Sequence, residues 1–199
     1  MKKFLALLAI VGMVFTFGQS AASAQGKILV AYFSRIGNEY GVGSITKGNT
    51  AIVAEIIAQK TGADLFEIKT VKSYPVDYDE CTKVASREKA EKARPELTAT
   101  VENFAQYDTI FIGGPIWYGD YPMAVYTFLE SYDFSGKTII PFVTHGGSGL
   151  SGVDQRITLT CPNSNQLQGF AIRGTVAQNN FAETESQVSK WLDKIEILK

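Results

Sequence analysis

Three short stretches concentrate glycine, hydroxyl and aromatic side chains. They are Ser34-Arg35-Ile36 with Gly48-Asn49-Thr50, then Pro115-Ile116-Trp117-Tyr118-Gly119, then Thr144-His145-Gly146-Gly147-Ser148-Gly149. Each suits a different part of a small-molecule ligand. Gly48-Asn49-Thr50 opens an amphipathic helix, whose first-turn N–H groups are free and whose dipole favours an anion, so a phosphate fits there with hydroxyls as added donors. The competing reading is plain helix capping by Asn49 or Thr50. The second stretch exposes aromatic faces in a connection that should be polar, which a planar apolar ligand would explain. Core packing of Trp117 or Tyr121 would explain the aromatics equally well. In the third stretch closely spaced glycines let backbone approach a ligand and offer N–H donors, unless they form only a flexible turn. His145 is the single histidine. With no Asp or Ser partner in evidence it does not read as part of a catalytic triad.

The elements that would carry these loops alternate in period. Lys27 to Phe33, Thr109 to Ile112 and Thr138 to Val143 are continuously apolar, and Asp64 to Lys69 and Leu167 to Ile172 are weaker versions. Strands apolar on both faces belong to a parallel sheet covered on both sides. Helical stretches lie between them, over Ala51 to Lys60, Tyr78 to Ala93, Pro122 to Tyr132 and Val188 to Leu198. Residues 151–160 are Thr- and Ser-rich and make a poor helix by propensity. The expected fold class is α/β, a three-layer doubly wound domain on a five-stranded parallel sheet, with ligands at the carboxyl ends of the strands.

Composition narrows the function. Nineteen basic against 20 acidic groups, with no basic block beyond Lys2-Lys3, argue against nucleic acid as a partner. One His and two Cys cannot build a zinc site from the usual ligands. Neither Gly-x-Gly-x-x-Gly nor Gly-Lys-Ser/Thr follows the first strand, against a Rossmann dinucleotide site or a triphosphate P-loop there. Lys2-Lys3, the apolar run Phe4 to Phe17 and Ala22-Ser23-Ala24 read as a secretory signal over residues 1–24, cut after Ala24. That leaves one domain over 25–199 with 17 basic and 20 acidic groups, exported to the periplasm or beyond, with no stable membrane span. Cys81 and Cys161 read as two unpaired, buried thiols rather than a disulfide.

Taken together, Ala31-Tyr-Phe-Ser-Arg35 with Gly48-Asn-Thr50, Gly114-Pro-Ile-Trp-Tyr-Gly119 and Thr144-His-Gly-Gly-Ser-Gly149 resemble the three FMN-binding loops of the flavodoxin-like family. The likeness runs over residues 26–196 and includes Ala63-Asp-Leu-Phe-Glu67, Tyr107-Asp-Thr-Ile110 and Asp133-Phe-Ser-Gly-Lys137. It implies sheet order 2-1-3-4-5, a short-chain form and one noncovalent FMN. By similarity the phosphate goes to Ser34, Gly48, Asn49 and Thr50, with Arg35 and Ile36 nearby, and the flavin ring lies between Pro115 to Gly119 and Thr144 to Gly149. One departure stands out. Ile36 to Lys47 intervenes between the serine and Gly48, giving two Gly-Asn pairs; Gly37-Asn38 precedes Glu39 and no helix, so Gly48-Asn49 is chosen. Tyr40 within this insertion could cover the flavin or face a partner.

The resemblance also implies a backbone carbonyl near Tyr118-Gly119 that answers flavin reduction, with Trp117 or Tyr118 stacking and Asp120 disfavouring the anionic reduced ring. Three functions follow: a low-potential electron carrier serving redox partner proteins, an FMN-dependent NAD(P)H:quinone or nitro reductase with a small-molecule acceptor, and a non-redox ligand-binding module on the same fold.

Overall fold

The computed structural model describes residues 26–198; the leader expected over residues 1–24 lies outside them. Strand β1 (Lys27–Tyr32) shows how the sheet is made. Leu29 and Ala31 point to one face and Val30 and Tyr32 to the other, and all four are buried. Each side therefore has its own core, as a residue period of two requires of a strand covered twice. Leu29, Ala31, Ile110, Ile112 and Val143 pack beneath one helical layer, and Val30, Phe111, Ile140, Phe142 and Ile172 beneath the other.

The chain continues through β2 (Gly37–Glu39) and β3 (Gly43–Ile45), helix α1 (Asn49–Thr61), β4 (Asp64–Glu67), α2 (Tyr78–Glu91), β5 (Tyr107–Pro115), α3 (Met123–Glu130), β6 (Thr138–His145), α4 (Val153–Thr160), β7 (Asn165–Gln166), β8 (Phe170–Arg173), α5 (Gly174–Asn179) and α6 (Phe181–Lys194). The sheet runs β4-β1-β5-β6, with β7 and β8 both pairing β6, and every pairing in it is parallel. Counting β7 and β8 as two halves of one strand gives the expected order 2-1-3-4-5. The expected strand over Leu167 to Ile172 is thus broken. The gap faces Ile140-Pro141, and the Gly169 backbone lies so close to Pro141 that a Cβ there would be 2.9 Å from its ring. Proline has no N–H to give a neighbouring strand.

Two further differences have local causes. Residues Val153–Thr160 are helical despite their threonines: Val153 and Ile157 are fully buried, and Thr158 and Thr160 turn their hydroxyls back to the carbonyls of Asp154 (3.2 Å) and Arg156 (2.9 Å). Helix α6 begins at Phe181, seven residues before the expected start. Asn180 caps it, its Oδ1 accepting from the Glu183 N–H at 3.1 Å.

Cys81 on α2 and Cys161 at the end of α4 are free and buried, as expected. Burial pushes each thiol up to about 11. At pH 8 both should resist a disulfide reagent such as DTNB until the protein is unfolded; rapid release of two equivalents from the native protein would contradict this. No helix among the described residues is long and apolar enough to cross a membrane, and no group of side chains among them could hold a metal ion.

Candidate functional site

Helix α1 opens at Gly48, not at Gly37, and neither Asn49 nor Thr50 caps it. Ser34, just past β1, does so instead, its Oγ accepting from the Ala51 N–H at 3.1 Å. The approach is close: a Cβ on Gly48 would fall 2.1 Å from Ser34 Oγ and 2.5 Å from the Arg35 carbonyl oxygen. Ahead of Ala51, the Asn49 and Thr50 N–H groups occupy first-turn positions that have no intrahelical acceptor. Thr50, buried, meets the hydroxyl of Thr144 at 2.8 Å, tying the first loop to the end of β6.

The second loop continues the β5–β6 pairing through the Ile116 N–H, which donates to Thr144 O at 2.9 Å. It then makes a tight turn in which Trp117 and Asp120 exchange both backbone bonds, at 2.7 and 3.0 Å. Its central residues Tyr118 and Gly119 have φ of +50° and +74°, the signature of a type I′ turn. Trp117 is half-buried and packs edge-on against Phe33 and Tyr74, with centroids 5.4 and 5.1 Å away. Tyr121 is the core residue of the pair, its hydroxyl donating to Ile112 O at 2.9 Å.

A cleft of about 430 Å³ opens between these loops at the carboxyl edge of the sheet. Its lining includes Asn49, Pro115, Ile116, Trp117, Thr144, His145 and Gly146. Two buried polar atoms around it lack a hydrogen-bond partner in the protein, Asn49 Oδ1 and His145 Nδ1. Such atoms are costly unless a ligand or water answers them. The hydroxyls of a polyol phosphate seated with its phosphate on the α1 amides can donate to them. The donors are neutral amides and hydroxyls beside a helix N-terminus, and the walls are partly apolar, so the residues fit an FMN.

Not every expected site residue meets the cleft. Ser34 and Thr50 lie beneath it as its frame. Ile36 is 56% exposed. Arg35 is turned away: all its nitrogens donate elsewhere, to the carbonyls of Pro75 (3.1 Å), Asn38 (2.9 Å), Val76 (2.6 Å) and Asp77 (3.4 Å) and to Glu39. Its guanidinium pins the insertion to the chain before α2, leaving no donor for a phosphate. Gly119, Gly147, Ser148 and Gly149 fall outside the cleft wall, and Tyr118 faces a neighbouring cavity. Asp120 is also corrected: its carboxylate is buried, accepting from the Tyr121 N–H (2.8 Å) and the Tyr126 hydroxyl (2.6 Å) and lying 3.3 Å from Arg156 Nε. It braces the turn and presents no open charge to a ring.

The structure places Tyr40, which the sequence singled out, in the cleft wall, and adds residues there that the sequence did not single out. The insertion folds as the β2–β3 hairpin, its base against Val76 and its tip at Gly41 beside Thr175. Tyr40 lies over Gly146, about 3.1 Å from where a Cβ would stand there, and its ring is 6.4 Å from that of Tyr78. Arg173, at the end of β8, donates to Gly146 O at 3.1 Å and lines the cleft with Gly174 and Thr175. Its position at the end of the fifth strand was the available signal, since every strand of such a sheet ends at this edge.

Burial and the Arg173 charge lower the His145 imidazole below its ordinary value of about 6.5. Between those two values the unfolded chain binds a proton that the folded one does not. Stability should therefore fall as pH drops below about 6.5. Urea midpoints at pH 7.5 and 5.5 should differ less in His145→Gln than in the parent; an equal difference would place the dependence elsewhere.

The site is thus that of a doubly wound protein that holds a flat phosphorylated ligand at the switch between strands. The family follows from comparison: the flavodoxin profile matches residues 27–195, and the chain belongs to the flavodoxin family. Candidate flavoproteins from Bacteroides eggerthii and Bacteroides uniformis are 31% and 34% identical to it. Their TM-scores are 0.69 and 0.68, and the alignments cover 86% and 84% of this chain and 98% of each of theirs. A flavoprotein from Lactobacillus acidophilus, solved in complex with FMN, is 23% identical at a TM-score of 0.61, over 83% of this chain and 98% of its own. No curated protein matches the sequence. Family and cleft together identify FMN as the cofactor of this flavodoxin-like protein.

Proposed function

We propose that the protein is an exported electron carrier that holds FMN noncovalently and passes low-potential electrons between redox partners. The observation that carries this reading is the pair of unanswered polar atoms, Asn49 Oδ1 and His145 Nδ1, buried beside a cleft with amide donors at one end and Trp117 at the other. FMN supplies the redox chemistry when bound. The chain's part is to bind, orient and shield it. The α1 backbone amides, that of Asn49 included, hold the phosphate, Asn49 Oδ1 accepts from a hydroxyl of the polyol, Pro115 to Trp117 support one side of the ring, Thr144 to Gly146 the other, and Tyr40 roofs the mouth. No side chain in the cleft forms an acid–base pair that a substrate would need, which favours a carrier. The leader read from the sequence over residues 1–24 supports export, and a chain threaded unfolded across a membrane takes up its FMN afterwards.

Titrating cofactor-free protein with FMN and following flavin fluorescence tests this directly. Quenching that saturates at one equivalent is expected; a flat titration would leave only a non-redox module on the fold. A second check concerns the turn. At Gly119 an added Cβ would meet nothing within 4 Å, yet φ is +74°, so Gly119→Ala strains the backbone without a clash, by about 1–2 kcal/mol. A redox titration should show shifted flavin midpoints in this variant. Identical potentials would detach the turn from the cofactor.

A reductase reading is favoured by one feature, a second cavity that shares a wall with the cleft.

A further inference from the structure

A phosphate on the α1 amides finds no cation in the first loop. Arg35 spends every nitrogen on protein oxygens, and Lys47, next to Gly48, pairs with Glu55. Free N–H groups and a helix dipole favour an anion, but they carry only partial charge. A doubly charged group entering a partly apolar cleft is held better where a full counter-charge meets it.

Among the described residues one cation lines the cleft, and it is Arg173. The other charged side chain in that wall, Glu39, is paired with Arg35. His145 is held neutral at pH 7 by burial and by the Arg173 charge itself.

We infer that Arg173 is the counter-charge for the FMN phosphate, the residue that makes the cleft select a phosphorylated flavin over the bare one. The inference rests on the FMN assignment and adds to it a specificity-determining side chain on the fifth strand, far in sequence from the loop that opens α1.

Three observations carry it. The first is position. Arg173 ends β8 in register with His145 on β6, and Gly174 after it lies against the first turn of α1, where a Cβ on Gly174 would fall 2.6 Å from Asn49 Nδ2. The Arg173 guanidinium runs along the third loop: Nη1 donates to Gly146 O at 3.1 Å, and a Cβ on Gly147 would stand 3.6 and 3.7 Å from Nη1 and Nη2. The residue therefore stands between the third loop and the helix end that receives the phosphate. The second is capacity. Its bond to Gly146 engages Nη1 alone, Nε and Nη2 have no acceptor among the described residues, and no ion pair among them includes Arg173. A guanidinium with donors to spare grips a phosphate through charge-assisted bonds, two at once when the fork is square to it. The third is company. Asn49 Oδ1 and His145 Nδ1, both buried without partners, border the same space. One polyol phosphate answers all three, its hydroxyls meeting the two orphaned atoms and its phosphate the guanidinium. The oxidised ring is neutral, so the phosphate is the permanent charge that Arg173 can meet.

The test compares two ligands that share the ring and differ by the phosphate. Cofactor-free protein is titrated with FMN and, separately, with riboflavin, following flavin fluorescence. The parent should bind FMN the more tightly. Arg173→Gln should weaken FMN about tenfold, the size of one charge-assisted bond, and leave riboflavin within about twofold. Arg173→Lys, which keeps the charge and loses the fork, should recover part of the preference. Added salt should weaken FMN binding in the parent more than in Arg173→Gln. Thermal melts check folding, and Arg173→Met replaces Arg173→Gln if that variant does not fold. Equal losses for both flavins would overturn the inference, since Arg173 would then only prop the third loop through Gly146. An unchanged FMN affinity would overturn it as well. In both cases the parent still binds FMN and the cofactor assignment stands; a parent that binds neither flavin brings down the assignment and the inference together.

Discussion

Gly48→Ala should weaken FMN binding about 10- to 100-fold. The φ of Gly48, −70°, is ordinary, so strain is not the reason. The reason is space: the new methyl would sit 2.1 Å from Ser34 Oγ and 2.5 Å from the Arg35 carbonyl. A backbone oxygen cannot swing away as a side chain can, so the loop after β1 and the start of α1 must separate. Overpacking of this kind costs about 1–3 kcal/mol, and up to two powers of ten in affinity follow if the cost falls on the bound geometry. Separation also takes Ser34 from the Ala51 N–H, so the helix loses its cap. Fluorescence titration of the variant decides it; an affinity within twofold of the parent would show that the two segments move apart freely.

Arg35→Leu should have the largest effect on stability, a loss of about 3–5 kcal/mol, the range for removing one partner of a buried ion pair. Glu39 is then left nearly buried without a counter-charge, the Pro75 carbonyl loses its Arg35 donor, and the Val76 carbonyl keeps only the Asn38 N–H. Burial already raises the Glu39 carboxyl above its usual value while Arg35 pulls it down. Without Arg35 the rise is larger. A carboxyl raised in the folded state binds a proton that the unfolded chain has released, so the variant loses stability as pH climbs through that window and regains it on acidification. Urea unfolding at pH 7 and pH 5 should show the deficit narrowing at the lower pH, and the added change Glu39→Gln should recover part of it at pH 7. A deficit under 1 kcal/mol, indifferent to pH, would mean that the hairpin is anchored through its backbone bond from Asn38 to Val76 alone.

Arg35 also shows how far the sequence could be read. A cation beside a phosphate loop is a natural ligand for that phosphate by residue type, and only the folded path of residues 75–77 turns it into a clamp. The sheet was legible because β1, β5 and β6 are apolar on both faces, a pattern few other elements share. The hairpin was not: Gly37–Glu39 and Gly43–Ile45 are three residues each, too short for alternation to register, and its role depends on contacts with Val76 and Thr175 far along the chain. The broken fifth strand was hidden for a related reason, since its cause sits in β6, at Pro141. Helix α4 was misjudged because propensity is local and the burial of Val153 and Ile157 is not. At the site, glycine spacing located the three loops, whereas Arg173 and Tyr78 enter it through tertiary packing.

The bond between Thr50 and Thr144 joins residues 94 positions apart. It fastens the first and third loops from below, out of solvent and independent of anything bound above. The receptacle is therefore assembled by folding itself. Capture of the cofactor requires little rearrangement of the loop floor, so the association rate should be set by diffusion and entry past Tyr40, and the empty and filled forms should share one backbone shape.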